Sequence, residues 1–125
     1  MSTLVTSNIS DGTTSVGTSY VVNGSAKAWA NLNGQGTIAL RDSFNISSAT
    51  DNGTGDYSFN FVNNMSSANS STSCGVVGGS RYSPEITNGA SNANVIIKTP
   101  TSSSNTIGTV IDTVYVAPQI SGDLA

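Results

Sequence analysis

The sequence predicts an all-β fold: an antiparallel sandwich or jelly roll of about seven or eight short strands, preceded by an extended N-terminal arm. Three observations predict it. Ser, Thr and Asn fill 51 of 125 positions, while Glu occurs once, Gln twice and Leu four times, so straight-chain helix formers are nearly absent. Tyr57, Phe59 and Phe61 alternate with Ser58 and Asn60, the period of a strand buried on one face. Turn-forming clusters recur at intervals of roughly 8–12 residues, and no window shows the apolar spacing of a helix.

Residues 1–25 are thin in core-formers and read as an arm that orders by docking on a partner or neighbouring subunit, or as a flexible leader. Within it, residues 4–9 and Tyr20-Val21-Val22 are expected as short strands around a turn at Asp11-Gly12. The sandwich is expected over residues 26–118. Asn33-Gly34-Gln35-Gly36 closes a first hairpin, because these residues reach positive φ cheaply. Ile38 and Leu40 share one face of the next strand, and Phe44 and Ile46 alternate with Asn45 and Ser47. Asp51-Asn52-Gly53-Thr54-Gly55-Asp56 is a turn built from side chains that bond their own backbone. A strand over 71–77 carries Cys74, Val76 and Val77, and residues 78–84 are a loop by composition. Val95-Ile96-Ile97 reads as a buried strand ended near Pro100. A last strand is expected over 109–116, with Asp112 interrupting its apolar face and needing a partner such as Arg41 or Arg81. Pro118 is expected to end it, leaving residues 119–125 as a tail.

Val, Ile, Leu and Phe fill 27 of the 125 positions, near the low edge for a folded chain. A small domain so poor in large side chains is expected to gain burial from partner subunits. Trp29, between Ala28 and Ala30, shares its strand face with Lys27 and Asn31. That polar company points to an inter-subunit contact at Trp29, Ala28 and Ala30; core packing and a ligand-stacking platform are the alternatives. Loops at 78–84, 88–92 and 101–105 are expected to supply binding contacts, with Arg81 and Tyr82 at the exposed tip of the first. Cys74, the single cysteine, reads as a small buried hydrophobe or as half of a disulfide to another chain.

The composition excludes several chemistries. Without His, no Ser-His-Asp or Cys-His site can form, and one Cys cannot build a zinc centre. Asp51 and Asp56 flank a turn rather than a cleft, and their block lacks the ligand register of an EF-hand. No catalytic residue, metal or cofactor is expected. Net charge is −3, and the four basic residues are scattered, which argues against nucleic acid. No apolar run reaches the ~20 residues that span a bilayer, and Met1-Ser2-Thr3-Leu4 lacks the basic start of a secretory signal.

Residues 26–69 resemble a module of tail-fibre and other virion proteins of bacteriophages, especially those of cyanobacteria and marine bacteria. The stretches that carry the resemblance are Ala26-Lys27-Ala28-Trp29, Asn33-Gly34-Gln35-Gly36-Thr37-Ile38-Ala39-Leu40-Arg41-Asp42-Ser43-Phe44-Asn45-Ile46, and Asp51-Asn52-Gly53-Thr54-Gly55-Asp56-Tyr57, with Phe61 and Met65-Ser66-Ser67-Ala68-Asn69 completing the pattern. After Asn69 the chain departs from it, with Ser70-Ser71-Thr72 where an aromatic is usual. The resemblance implies a non-enzymatic virion structural protein made in a bacterial cytoplasm. It would be a homotrimeric tail-fibre or fibre-associated subunit that meets other virion proteins and a host surface glycan or protein. A capsid decoration protein is the alternative, and a glycan-degrading tailspike a remote one.

Overall fold

The computed structural model describes residues 1–77, 82–99 and 108–125. Ten strands and one short helix lie within them: β1 (Asn8–Ser10), β2 (Ser15–Gly17), α1 (Thr18–Gly24), β3 (Ala28–Asn33), β4 (Ala39–Phe44), β5 (Ile46–Gly53), β6 (Asp56–Phe61), β7 (Ser71–Val77), β8 (Ser83–Asn88), β9 (Asn92–Lys98) and β10 (Tyr115–Ser121). All pairings are antiparallel. One four-stranded sheet runs β4-β3-β10-β7 and the other β5-β6-β9-β8, and both contribute to a single core. The fold is therefore an all-β sandwich, as the composition and the period-two runs require.

The N-terminal segment is less extended than expected. β1 and β2 form a two-stranded hairpin whose turn is held by Asp11, with Thr13 N and Thr14 N donating to its Oδ1 at 2.9 and 2.7 Å. The expected strand at Tyr20-Val21-Val22 is helix α1 instead. These side chains favour strands, but among the described residues no neighbouring strand offers them a ladder, and a helical turn satisfies its own carbonyls. Lys27 anchors this segment to the sandwich: its Nζ caps Val22 O and Ser25 O, and its backbone N donates to Ile120 O at 2.8 Å. None of residues 1–25 is buried.

In the sandwich, Ala28, Ala30 and Leu32 of β3 and Val116, Pro118 and Ile120 of β10 line the inner face of the first sheet. Tyr57, Phe59 and Phe61 of β6 and Ala93, Val95 and Ile97 of β9 line the second. Aromatic bulk sits on one sheet and small side chains on the other, so the layers fill each other's space. Ala28 and Ala30 are thus covered within the chain, which corrects their expected place at a subunit contact.

Two sequence expectations fail where the chain changes sheets. Phe44 and Ile46 do not share a strand face: Asn45 adopts φ 56 between them, and the chain passes from β4 in the first sheet to β5 in the second. Asn tolerates this left-handed conformation, and Asn45 Oδ1 accepts from Asn63 N at 2.8 Å. Phe44 is left outside and Ile46 inside. The strand expected over 109–116 is likewise two pieces. Val110 bridges Lys98 and Ile111 N donates to Ile97 O at 3.1 Å, beside β9. The chain then crosses over and begins β10 at Tyr115. Pro118 does not end β10 but sits within it, paired in register with Cys74 of β7, while bridges to β3 lapse at Ala117 and Pro118 without a register shift.

Candidate functional site

The outer face of the first sheet carries the surface that separates this sandwich from a plain solvated one. Phe44, Trp29, Gln119 and Ser73 lie opposite one another, a rung that crosses all four strands. Trp29 is 36% and Phe44 56% exposed, far more than burial in a monomer core would leave. Four residues along β10, ~13 Å away by strand rise, Tyr115 lies opposite Val77, with exposures of 39% and 60%. Asn31, Ala117 and Gly75 supply a flat, small floor between these rungs.

Arg41 braces this face. The β3–β4 register shifts at Asn31/Leu32, leaving Arg41 as the extra residue of β4. Its guanidinium sits 4.3 Å from the centroid of the Tyr115 ring. Its Nη1 donates to Val114 O at 2.7 Å and Asn31 Oδ1 at 3.2 Å, and its Nη2 to Asn33 Oδ1 at 3.3 Å. Arg41 therefore does not pair with Asp112. With Phe44 and Tyr115, it belongs to a surface of which the sequence reading named Trp29 alone. Asn45, able to reverse the strand's facing, was the available signal for Phe44.

Asp112 instead holds one end of the sandwich together. The single Tyr57 Oη proton is shared between Asp112 Oδ1 at 2.8 Å and Gly34 O at 2.7 Å, and Gly55 N donates to Asp112 Oδ1 at 2.7 Å. Gly34 N donates to Thr113 O at 3.0 Å. Two turns from different sheets are thus tied to the crossover before β10. Burial, and then the Asp112 carboxylate, push the Tyr57 hydroxyl well above the ordinary tyrosine range, so it stays a donor.

The remaining expected sites fare differently. Arg81 lies outside the described residues, as does the loop at 101–105. Tyr82 is half-buried against the core rather than at an exposed tip. The loop at 88–92 is pinned, not projecting: Phe61 N donates to Ser91 O at 2.9 Å and Met65 N to Ala90 O at 2.8 Å. Asp51 keeps to its own turn, accepting from Gly53 N at 2.9 Å. Among the described residues, no three His, Cys, Asp or Glu side chains converge.

Cys74 faces the core side of β7, opposite the buried Pro118, and burial pushes its thiol up to about 11. An unfolded chain would ionise near the ordinary 9.0, so stability is intact below that value and declines as pH rises towards 11. At pH 8 the native thiol should react with iodoacetamide roughly 100-fold more slowly than the thiol in urea. Equal rates would show Cys74 to be freely exposed. A half-buried, weakly acidic thiol is slow to join a disulfide unless its partner is held directly against it.

Comparison with protein-family models, with curated proteins and with solved structures found no match.

Proposed function

We propose that this chain is a non-enzymatic structural subunit of a bacteriophage particle, a homotrimeric tail-fibre or fibre-associated protein. It serves in host attachment or in joining fibre to baseplate. The observation that carries the assembly is the aromatic outer face, where Trp29, Phe44 and Tyr115 stand in water on a rigid sheet. Exposed aromatic side chains gathered on one sheet face mark interaction sites. The resemblance of residues 26–69 to tail-fibre modules supports the particle, and the core, short of large side chains, supports assembly. Binding is passive, with repeated weak contacts summed by avidity.

Replacing Trp29 by Ala should cost about 2 kcal/mol of association, or roughly 30-fold in affinity. Light scattering across a dilution series should show the variant as monomer where the parent is a trimer. A variant that holds the trimer at the same concentrations would overturn the role of this face. A capsid decoration protein is the second reading, supported by the N-terminal segment, which buries nothing on its own sandwich and could clamp a neighbour. Copy number per particle separates the two: decoration subunits outnumber fibre subunits many times over.

A further inference from the structure

Four strands form the open edges of the two sheets: β4 and β7 in the first, β5 and β8 in the second. An open edge invites another strand, and proteins blunt it with charge, proline or bulges. Three of these edges are blunted. β4 carries Arg41, Asp42 and a bulge. β5 carries Asp51 and two register shifts. β8 carries Pro84 and Glu85. β7 has none of these devices. Its seven residues, Ser-Thr-Ser-Cys-Gly-Val-Val, are uncharged and keep unbroken register with β10. Among the described residues, nothing pairs with its other side.

The core is also ajar along this edge. Cys74 and Val76 of β7 are half-buried, as are Tyr82 and Ile86 on the β8 side. Asn88 closes one end of the gap, its Nδ2 donating to Ser70 O at 2.7 Å and its Oδ1 accepting from Thr72 Oγ1 at 2.7 Å. No bridge of this kind spans the gap beside Cys74 and Val76 among the described residues.

The chain carries a segment that fits. Residues 1–6 form no helix or strand, bear no charged side chain, and include Leu4 and Val5 at 86% and 90% exposure. Thr3, Leu4, Val5 and Thr6 are at home in a strand. Laid along β7, one of Leu4 and Val5 would cover the half-open core margin and the other would extend the outer face past Val77. In its own chain the segment turns into the β1–β2 hairpin and leaves Leu4 and Val5 in water, away from the β7 edge.

We propose that residues 2–6 of one copy add as a strand to the open edge of β7 in a second copy. The contact is built from backbone hydrogen bonds, with alternate side chains setting the register. It does not depend on which particle the chain serves.

Cys74 supplies the reporter. Each of residues 2–6 is replaced singly by Cys in the full chain, which is then oxidised mildly and run on a non-reducing gel. Facing alternates along a strand, and Cys74 faces the core side. Interchain disulfides to Cys74 should therefore form at one position, or at two positions two residues apart, and vanish on Cys74→Ser. Deleting residues 1–7 should weaken self-association by about tenfold or more. The disulfide should persist with Trp29→Ala, which separates this contact from the aromatic face. No interchain disulfide at any position, disulfides at adjacent positions alike, closure within one chain, or unchanged association after the deletion would each overturn the proposal.

Discussion

Phe59→Ala is expected to remove about 3–5 kcal/mol of folding stability, a large share of the about 5–15 kcal/mol that holds a domain of this size folded. Phe59 is wholly buried at the middle of β6. Its cross-strand neighbours are Ala49 on β5 and Ala93 on β9, whose methyl groups cannot reach into the vacated space. A cavity that cannot collapse takes the upper end of the range. Phe59→Leu refills most of the volume and should cost less than about 1.5 kcal/mol. Urea unfolding followed by circular dichroism reads both. A midpoint for Phe59→Ala within error of the parent's would mean that the two sheets do not share this core.

Gly55→Ala should cost about 2–4 kcal/mol, from two separate causes. Gly55 has φ +66, and a Cβ there would lie 2.7 Å from both the N and the O of Ile111. Neither atom can move alone, because both belong to the backbone that crosses between sheets. Displacing Gly55 would also pull its N–H from Asp112 Oδ1 and with it disturb the Tyr57 bond. Gly36→Ala is the control: φ is +64 there, but nothing lies within 4 Å of the added Cβ. It should cost only the backbone term, about 1 kcal/mol. Equal losses at the two glycines, read from urea midpoints, would show that the Ile111 contact does not tie the crossover to the turn.

Much of the sandwich was legible because alternation records which face is wet. Tyr57, Phe59 and Phe61 are all buried and Ser58 and Asn60 are not. Val95-Ile96-Ile97 concealed the same alternation, since Ile96 turns outward while Ala93, Val95 and Ile97 turn in. What alternation cannot show is where a chain leaves one sheet for the other. At Asn45 a single left-handed residue reverses the facing, and at 112–114 the chain crosses without any glycine or proline to mark it. Both misreadings follow from that. So does the incomplete view of the site, because Phe44 and Tyr115 come to stand near Trp29 only after those crossings are made. Pro118 misled for another reason: a missing N–H matters only on the side where a ladder bond is needed, and β10 loses bridges on the β3 side alone. Tyr20-Val21-Val22 shows strand-formers without a strand partner, a fact that no local pattern contains.

The outer face of the second sheet has a different character. Asn94 Nδ2 donates to Asp56 Oδ1 at 2.7 Å, Asn52 Nδ2 to Ser58 Oγ at 2.8 Å and Asn60 Nδ2 to Ser48 Oγ at 3.0 Å. Amides and hydroxyls bond to one another there, and among the described residues charge enters through Asp56 and the Lys98–Glu85 pair near the edge. Dissolved ions weaken attractions between charges but have little hold on neutral dipoles. In the assembly proposed above, with the aromatic face covered and the amide face in solvent, that amide face should hold its bonds alike in brine and in rainwater.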